Sequence, residues 1–334
     1  MMKTVAVLLA VCIVLGCCLL PRQTTADSAT DSSPRLTGKV STRTPVLLIY
    51  GLQLLVPFHP EDLWKGMAEE LSGSSSGCNL RSSAYPYNLW YFPAQDAEHH
   101  DVYISDYCGN DCLPTLLPLA YYTENLKREI DYVKELEGCS KIDLVGHSMG
   151  GLAARRYIES VDLQGNHYRN NIRDCVMIGT PNRIISPSLM LSFSGFADLV
   201  LLRSINRETL VQARGKSADT RHDVSYYTIA GEFKVTSKGP QYSLGTGVVG
   251  TDGLVWTSSV GLAGARKNYV VRYIDHTSLI QTRVVYTAVR KILDGKADSV
   301  PATIMTNGLV SSNNWFYNLR SKIIDLLCLT IAPA

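Results

Sequence analysis

Charge is scarce in this 334-residue chain: Lys and Arg total 32, Asp and Glu total 30, and only 19% of residues are charged. The formal net charge is +2. There is no Lys/Arg block and no interleaved basic–aromatic patch, which excludes the electrostatic footprint of a nucleic-acid binder. No Asn-x-Ser/Thr acceptor occurs, so there is no N-glycan signal. No histidine pair lies near the cysteines at zinc-ligand spacing, which argues against a structural metal site. The N-terminal apolar run, Val5 to Leu20, is 16 residues, short of the roughly 20 a spanning helix needs.

That run reads instead as a removable leader. Lys3 gives a short basic start, and Thr24-Thr25-Ala26 offers small residues ahead of Asp27. The expectation is a signal peptide over 1–26 and an exported, secreted protein. A retained signal-anchor is the rival reading. Export changes how the cysteines are read. Of nine, Cys12, Cys17 and Cys18 fall in the leader, leaving Cys78, Cys108, Cys112, Cys139, Cys175 and Cys328. An even count in an exported chain suggests disulfides. Cys108 and Cys112 are spaced to close a small local loop. Cys139 and Cys175 each precede an expected core strand and are candidates to pair.

Residues 27–43 are rich in Ser, Thr and Asp and read as a flexible lead-in. Beyond them, compact apolar strands alternate with amphipathic helices. Strands are expected at Pro45–Gly51, Leu89–Phe92, Cys175–Gly179, Tyr226–Ala230 and Tyr269–Tyr273. Helices are expected at Asp62–Leu71, Thr123–Leu136 and Leu279–Leu293. In the second, Thr123 caps the start, Leu126, Ile130, Val133 and Leu136 share a face, and Gly138 ends it. Such alternation implies α/β architecture, with a mostly parallel central sheet covered by helices on both faces. One domain over 44–297 accounts for it. The dense apolar run from Ile184 to about Leu210 breaks the pattern. It reads either as extra core helices or as an inserted helical cap or lid, spanning about 184–220. Residues 298–334 form a C-terminal extension. Helically spaced apolar residues from Trp315 to Ile331 would pack on the domain or touch a lipid surface.

One stretch carries chemistry. Lys141 to Arg155 reads as a buried strand, a tight turn Gly146-His147-Ser148-Met149-Gly150, and a helix. This is the nucleophile-elbow arrangement. The glycines leave room where side chains would strike backbone. The following helix aims N–H groups and its positive dipole end at developing negative charge. Two other stretches match motifs by letter only. Gly73-Ser74-Ser75-Ser76-Gly77 lacks the flanking strand and helix and reads as a surface loop. Gly245 to Gly250 fits G-x-G-x-x-G but opens no helix, so it reads as a turn.

A serine nucleophile needs a base, and the base needs an orienting acid. Asp252 lies between glycines in a strand-end loop, and His276 follows the last strand in a loop before the final helix. Asp223 and Asp275 are the alternative acids. His222, His147 and the His99–His100 pair are weaker bases, because none follows the last strand; His147 is expected to pack under the elbow.

The strand Val46–Leu52, Gly146–Gly151, Ile178-Gly179-Thr180-Pro181-Asn182, Thr251-Asp252-Gly253-Leu254-Val255 and Asp275-His276 occur in one order over roughly 44–295. In these elements the chain resembles the secreted lipases and esterases of the α/β-hydrolase superfamily, particularly bacterial-type triacylglycerol lipases. The resemblance implies the α/β-hydrolase fold and a serine carboxylester hydrolase acting on lipid esters. It implies Ser148 as nucleophile, His276 as base, Asp252 as acid, and the backbone N–H groups of Met149 and Leu52 as the oxyanion hole. It implies no cofactor. Some relatives carry calcium, with one ligand an Asp two positions past the base; here that residue is Ser278, so no metal is expected. Many relatives have His-Gly after the first strand, where this chain has Tyr50-Gly51. Enzymes similar to lecithin–cholesterol acyltransferase use the same elbow to pass the acyl group to an alcohol. Short-chain esterases and inert binding modules of the same fold are further alternatives.

Overall fold

The computed structural model describes residues 41–51, 60–81, 88–106, 119–160, 171–182, 223–232, 250, 252, 255 and 257–310. The leader, the lead-in to residue 40, Leu52, the 184–220 segment, His222, Cys108, Cys112, Cys328 and the 315–331 stretch lie outside them. Among the described residues no helix is long and apolar enough to cross a membrane.

The strands are β1 (Val46–Ile49), β2 (Cys78–Arg81), β3 (Asn88–Phe92), β4 (Val102–Ile104), β5 (Ile142–His147), β6 (Ile172–Ile178), β7 (Ser225–Glu232), β8 (Lys267–Ile274) and β9 (Thr303–Val310). They form one sheet in the order β2-β3-β4-β1-β5-β6-β7-β8-β9. From β4 to β9 every pairing is parallel, while β2 and β3 close one edge antiparallel. Every residue of β1 and β5 is buried. Consecutive residues point to opposite faces, so both faces of the sheet centre are covered.

The helices are α1 (Pro60–Ser72), α2 (Leu119–Glu137), α3 (Met149–Glu159), the short α4 (Thr257–Val260) and α5 (Arg283–Leu293). They pack in pairs, α1 with α5 and α2 with α3. The α2 stripe of Leu119, Tyr122, Leu126, Ile130 and Val133 is buried at helical spacing. It runs a full turn further back than the expected start at Thr123. Thr123 is therefore inside the helix, and its hydroxyl donates to the Leu119 carbonyl at 2.8 Å instead of capping. Gly138 adopts φ +60 just past Glu137, a left-handed helix ending.

The expected Leu279–Leu293 helix is broken into a 3-10 turn, Ser278–Ile280, and α5. The break is chemical. The Asp275 carboxylate accepts from the Ser278 N–H at 2.8 Å, and the Thr282 hydroxyl donates to the Ser278 carbonyl at 2.7 Å. Side chains thus take groups a continuous helix would use. The stretch beginning at residue 298 is not all appendage, since β9 continues the sheet beside β8. Cys175 lies within β6, buried, as a free thiol, so the candidate pair Cys139 and Cys175 is not joined. Cys78 is also free, and exposed.

Candidate active site

The C-terminal ends of β5, β6, β7 and β8 meet at one corner of the sheet. β5 runs into Ser148, and α3 begins at the next residue. Ser148 has φ 54 and ψ −122, a backbone state that a residue with a Cβ rarely adopts. Strain of this kind collects at functional turns. The Ser148 hydroxyl makes no cap hydrogen bond to α3, and the residue is half-buried. Its N–H donates to the Ile178 carbonyl at 2.9 Å, tying the turn to the end of β6.

Glycine is required on both sides of this turn. A Cβ on Gly150 would lie 2.3 Å from the Tyr50 carbonyl oxygen and 2.4 Å from that of Ile49. A Cβ on Gly51 would lie 2.7 Å from the Ser148 Cβ. The end of β1 therefore abuts the elbow, and Gly51 brings the chain against Ser148 immediately before Leu52. Met149, the first residue of α3, is 3% exposed. Its N–H is one of the helix-start donors without an intrahelical acceptor.

His276 leaves β8 on the other side of the corner. Its Nδ1 lies 2.7 Å from Asp252 Oδ2. The carboxylate can only accept, so Nδ1 carries the hydrogen and donates. The two residues are joined a second time, by the His276 N–H donating to the Asp252 carbonyl at 2.9 Å. Asp252 Oδ1 accepts from the Val255 N–H at 2.7 Å, and Asp252 is fully buried. The remaining imidazole nitrogen, Nε2, is buried without a hydrogen-bond partner among the described residues. In the neutral ring that atom is a bare acceptor.

His147 connects the two halves. Its ring lies 4.5 Å from the His276 ring. Its Nε2 lies 3.0 Å from the His276 carbonyl oxygen, to which it donates. Burial, and then the neighbouring His276 charge, hold the His147 pKa well below the ordinary histidine value. His147 is therefore a neutral donor. The residue next to Ser148 thus grips His276 by ring and backbone.

The structure brings Ser148, Met149, Asp252 and His276 to this corner. The alternatives sit elsewhere. Asp223 precedes β7, at the opposite end of the sheet. Asp275 binds the Ser278 N–H. His99 pairs with Asp96 at 2.7 Å. His100 is buried between the Thr44 carbonyl and Asp294. Gly73–Gly77 is the connection between α1 and β2. Among the described residues no group of His, Cys, Asp and Glu is arranged to hold a metal ion.

Comparisons with known proteins bear on the architecture. A sequence model of the family described as the alpha/beta hydrolase fold matches residues 73–223. The chain is similar to the crystal structure of a Bacillus licheniformis lipase in mature form, with a TM-score of 0.50 at 16% identity, covering 75% of this chain and 92% of that one. Against the propeptide form of that lipase the TM-score is 0.47 at 17% identity, over 86% of this chain and 54% of that one. For a Listeria innocua gene product the TM-score is 0.44 at 19% identity, over 79% and 99% of the two chains. No curated protein sequence matches the chain. The chain has the α/β-hydrolase fold.

Proposed function

We propose that this protein is a secreted serine carboxylester hydrolase that cleaves lipid esters through an acyl-enzyme on Ser148. The observation that carries the reading is the state of His276. One ring nitrogen is engaged by Asp252 and the other is buried and open, and the ring packs against His147, the neighbour of a serine held at positive φ on an elbow. That is what a general base needs before it takes a hydroxyl proton.

The steps follow from these groups. Ser148 Oγ bonds to the ester carbonyl carbon as its proton passes to His276 Nε2. The carbonyl oxygen becomes an oxyanion, facing the backbone N–H groups of Met149 and Leu52. Losing one such donor typically costs about 2.7–4 kcal/mol of barrier. The carbon–alkoxy bond then breaks, and the leaving alcohol takes the proton back from His276. Water repeats the sequence on the acyl-enzyme, releasing the acid and restoring Ser148. Asp252 holds the His276 tautomer and stabilises the imidazolium throughout. Leu52 and the apolar 184–210 stretch enter this reading from the sequence. That apolar stretch, with the lipase named above as a structural relative, supports a lipid ester. Secretion rests on the leader sequence.

The test is hydrolysis of p-nitrophenyl esters from acetate to palmitate by residues 27–334 and by Ser148→Ala. Serine-dependent turnover rising toward long acyl chains is expected, falling by about 10³-fold or more in the variant. A folded Ser148→Ala that retains full activity sinks the assignment. A maximum at acetate would make the enzyme a short-chain esterase.

A further inference from the structure

The final strand bears on the site. Along β8 the buried residues alternate at first: Tyr269 and Val271 are inward and Asn268 and Arg272 outward. The next inward position should be Tyr273. Instead Tyr273 is 41% exposed and Ile274 is fully buried. The alternation has slipped by one residue, as a β-bulge makes it slip. The pairing with β9 is irregular at the same place, with the extra residues on the β9 side. Arg272 faces Met305, but Ile274 faces Val310, so the register is broken between them. Tyr273 itself has φ 63, a left-handed backbone unfavourable for a residue with a Cβ.

One β9 side chain holds this bulge. Thr306 is buried. Its hydroxyl donates to the Arg272 carbonyl at 3.0 Å and reaches the Tyr273 carbonyl at 3.4 Å. It occupies carbonyls at the point where the ladder is broken. His276 lies three residues further on. It lies in the turn that follows β8, and Ile274, Asp275 and His276 are all buried.

We infer that Thr306 and the bulge at Tyr273 are positioning residues, which fix the direction in which β8 delivers His276 to Asp252 and Ser148. The inference rests on the reading of His276 as the base, given above. The exposed phenol has no part in it: the backbone of Tyr273 does the work, and the Thr306 hydroxyl holds it.

The test uses Thr306→Val, Thr306→Ser and Tyr273→Gly in the full chain. Misplacement on the order of 1 Å can cost about 10²-fold, so Thr306→Val should lower kcat by roughly 10- to 100-fold with KM unchanged. Thr306→Ser keeps the hydroxyl and should restore kcat. Tyr273→Gly takes φ 63 without strain and should retain activity. A proton NMR readout needs no turnover: the downfield His276 Nδ1–H resonance should move in Thr306→Val and return in Thr306→Ser. If both that resonance and kcat are unchanged in Thr306→Val, the inference is overturned. A collapse of kcat in a folded Tyr273→Gly also overturns it, by assigning the role to the phenol. If Thr306→Val does not fold, Tyr273→Val strains the same backbone and replaces it. Should the native chain hydrolyse no ester while the resonance still follows Thr306, the hydrolase reading fails and the positioning role stands.

Discussion

At the scale of single residues, the site depends on a histidine that does no proton transfer. His147 donates to the His276 carbonyl and packs its ring, tilted, against the His276 ring. A charged His147 would oppose the imidazolium that forms on His276. Burial removes that conflict by keeping His147 neutral. Replacing it tests the donor separately from the ring. His147→Phe keeps an aromatic face but strands a buried carbonyl, which costs about 1–3 kcal/mol. It should lower kcat/KM and Tm together. His147→Gln retains an N–H donor and should recover part of both. Equal kcat/KM in the native protein and His147→Phe would show that the contact is incidental. Ser148 could be read from the sequence because an elbow is a local pattern. Asp252 and His276 stand 24 positions apart, and their chain order, their loop positions and the family resemblance suggested pairing them. The φ of Tyr273 and the partner of Thr306 left no trace in the sequence. Both depend on how β8 meets β9.

At the scale of elements, what the sequence reveals follows burial. The central strands β1, β5, β6 and β7 are almost wholly buried, and each contains or overlaps an expected strand. β2 and β4 have four and three residues, too few to show a period. They escape a reading by pattern, as does β9, which lies in the expected extension. The stripe on α2 fixed its face but not its start, because Thr123 suits both a cap and a helix interior. A joint with no room for a side chain is where α3 crosses the end of β1. Gly150→Ala puts a methyl group 2.3 Å from one backbone oxygen and 2.4 Å from another. Neither oxygen belongs to a side chain that can rotate away. Overpacking of this kind costs about 1–3 kcal/mol, occasionally more. The variant should lose stability in a denaturant titration and lose kcat as α3 is pushed off β1. A Gly150→Ala protein with native midpoint and activity would refute the close approach.

At the scale of the whole molecule, buried ionisable groups set the response of stability to pH. Burial pushes the Glu129 carboxyl up to about 8, against hydrogen bonds from the Ser105 hydroxyl and the Asp106 N–H. Burial likewise raises Asp143, to about 7, although Arg173 pulls the other way. Asp143 is held in an ion pair with Arg173, so Glu129 is the carboxyl that in the fold holds a proton the unfolded chain has released. The stability it contributes is present below the ordinary carboxylate range and is lost as pH rises through about 8. Buried His100 and His147 act in the opposite sense. The unfolded chain protonates them first, so they remove stability as pH falls below the ordinary histidine value of 6.5. Above that value Glu129 acts among these groups, and Tm should decline between pH 6.5 and 8.5. One group changes stability by at most about 1.4 kcal/mol per pH unit. A kcal/mol is worth about 2–4 °C in a domain of roughly this size. Glu129→Gln keeps an oxygen for the Asp106 N–H and cannot ionise. It should flatten the decline, leaving the variant closer to the native protein at pH 6.5 and more stable than it at pH 8.5. Thermal unfolding across that interval decides the matter: parallel curves for the two proteins would mean that Glu129 is ionised in the fold at neutral pH.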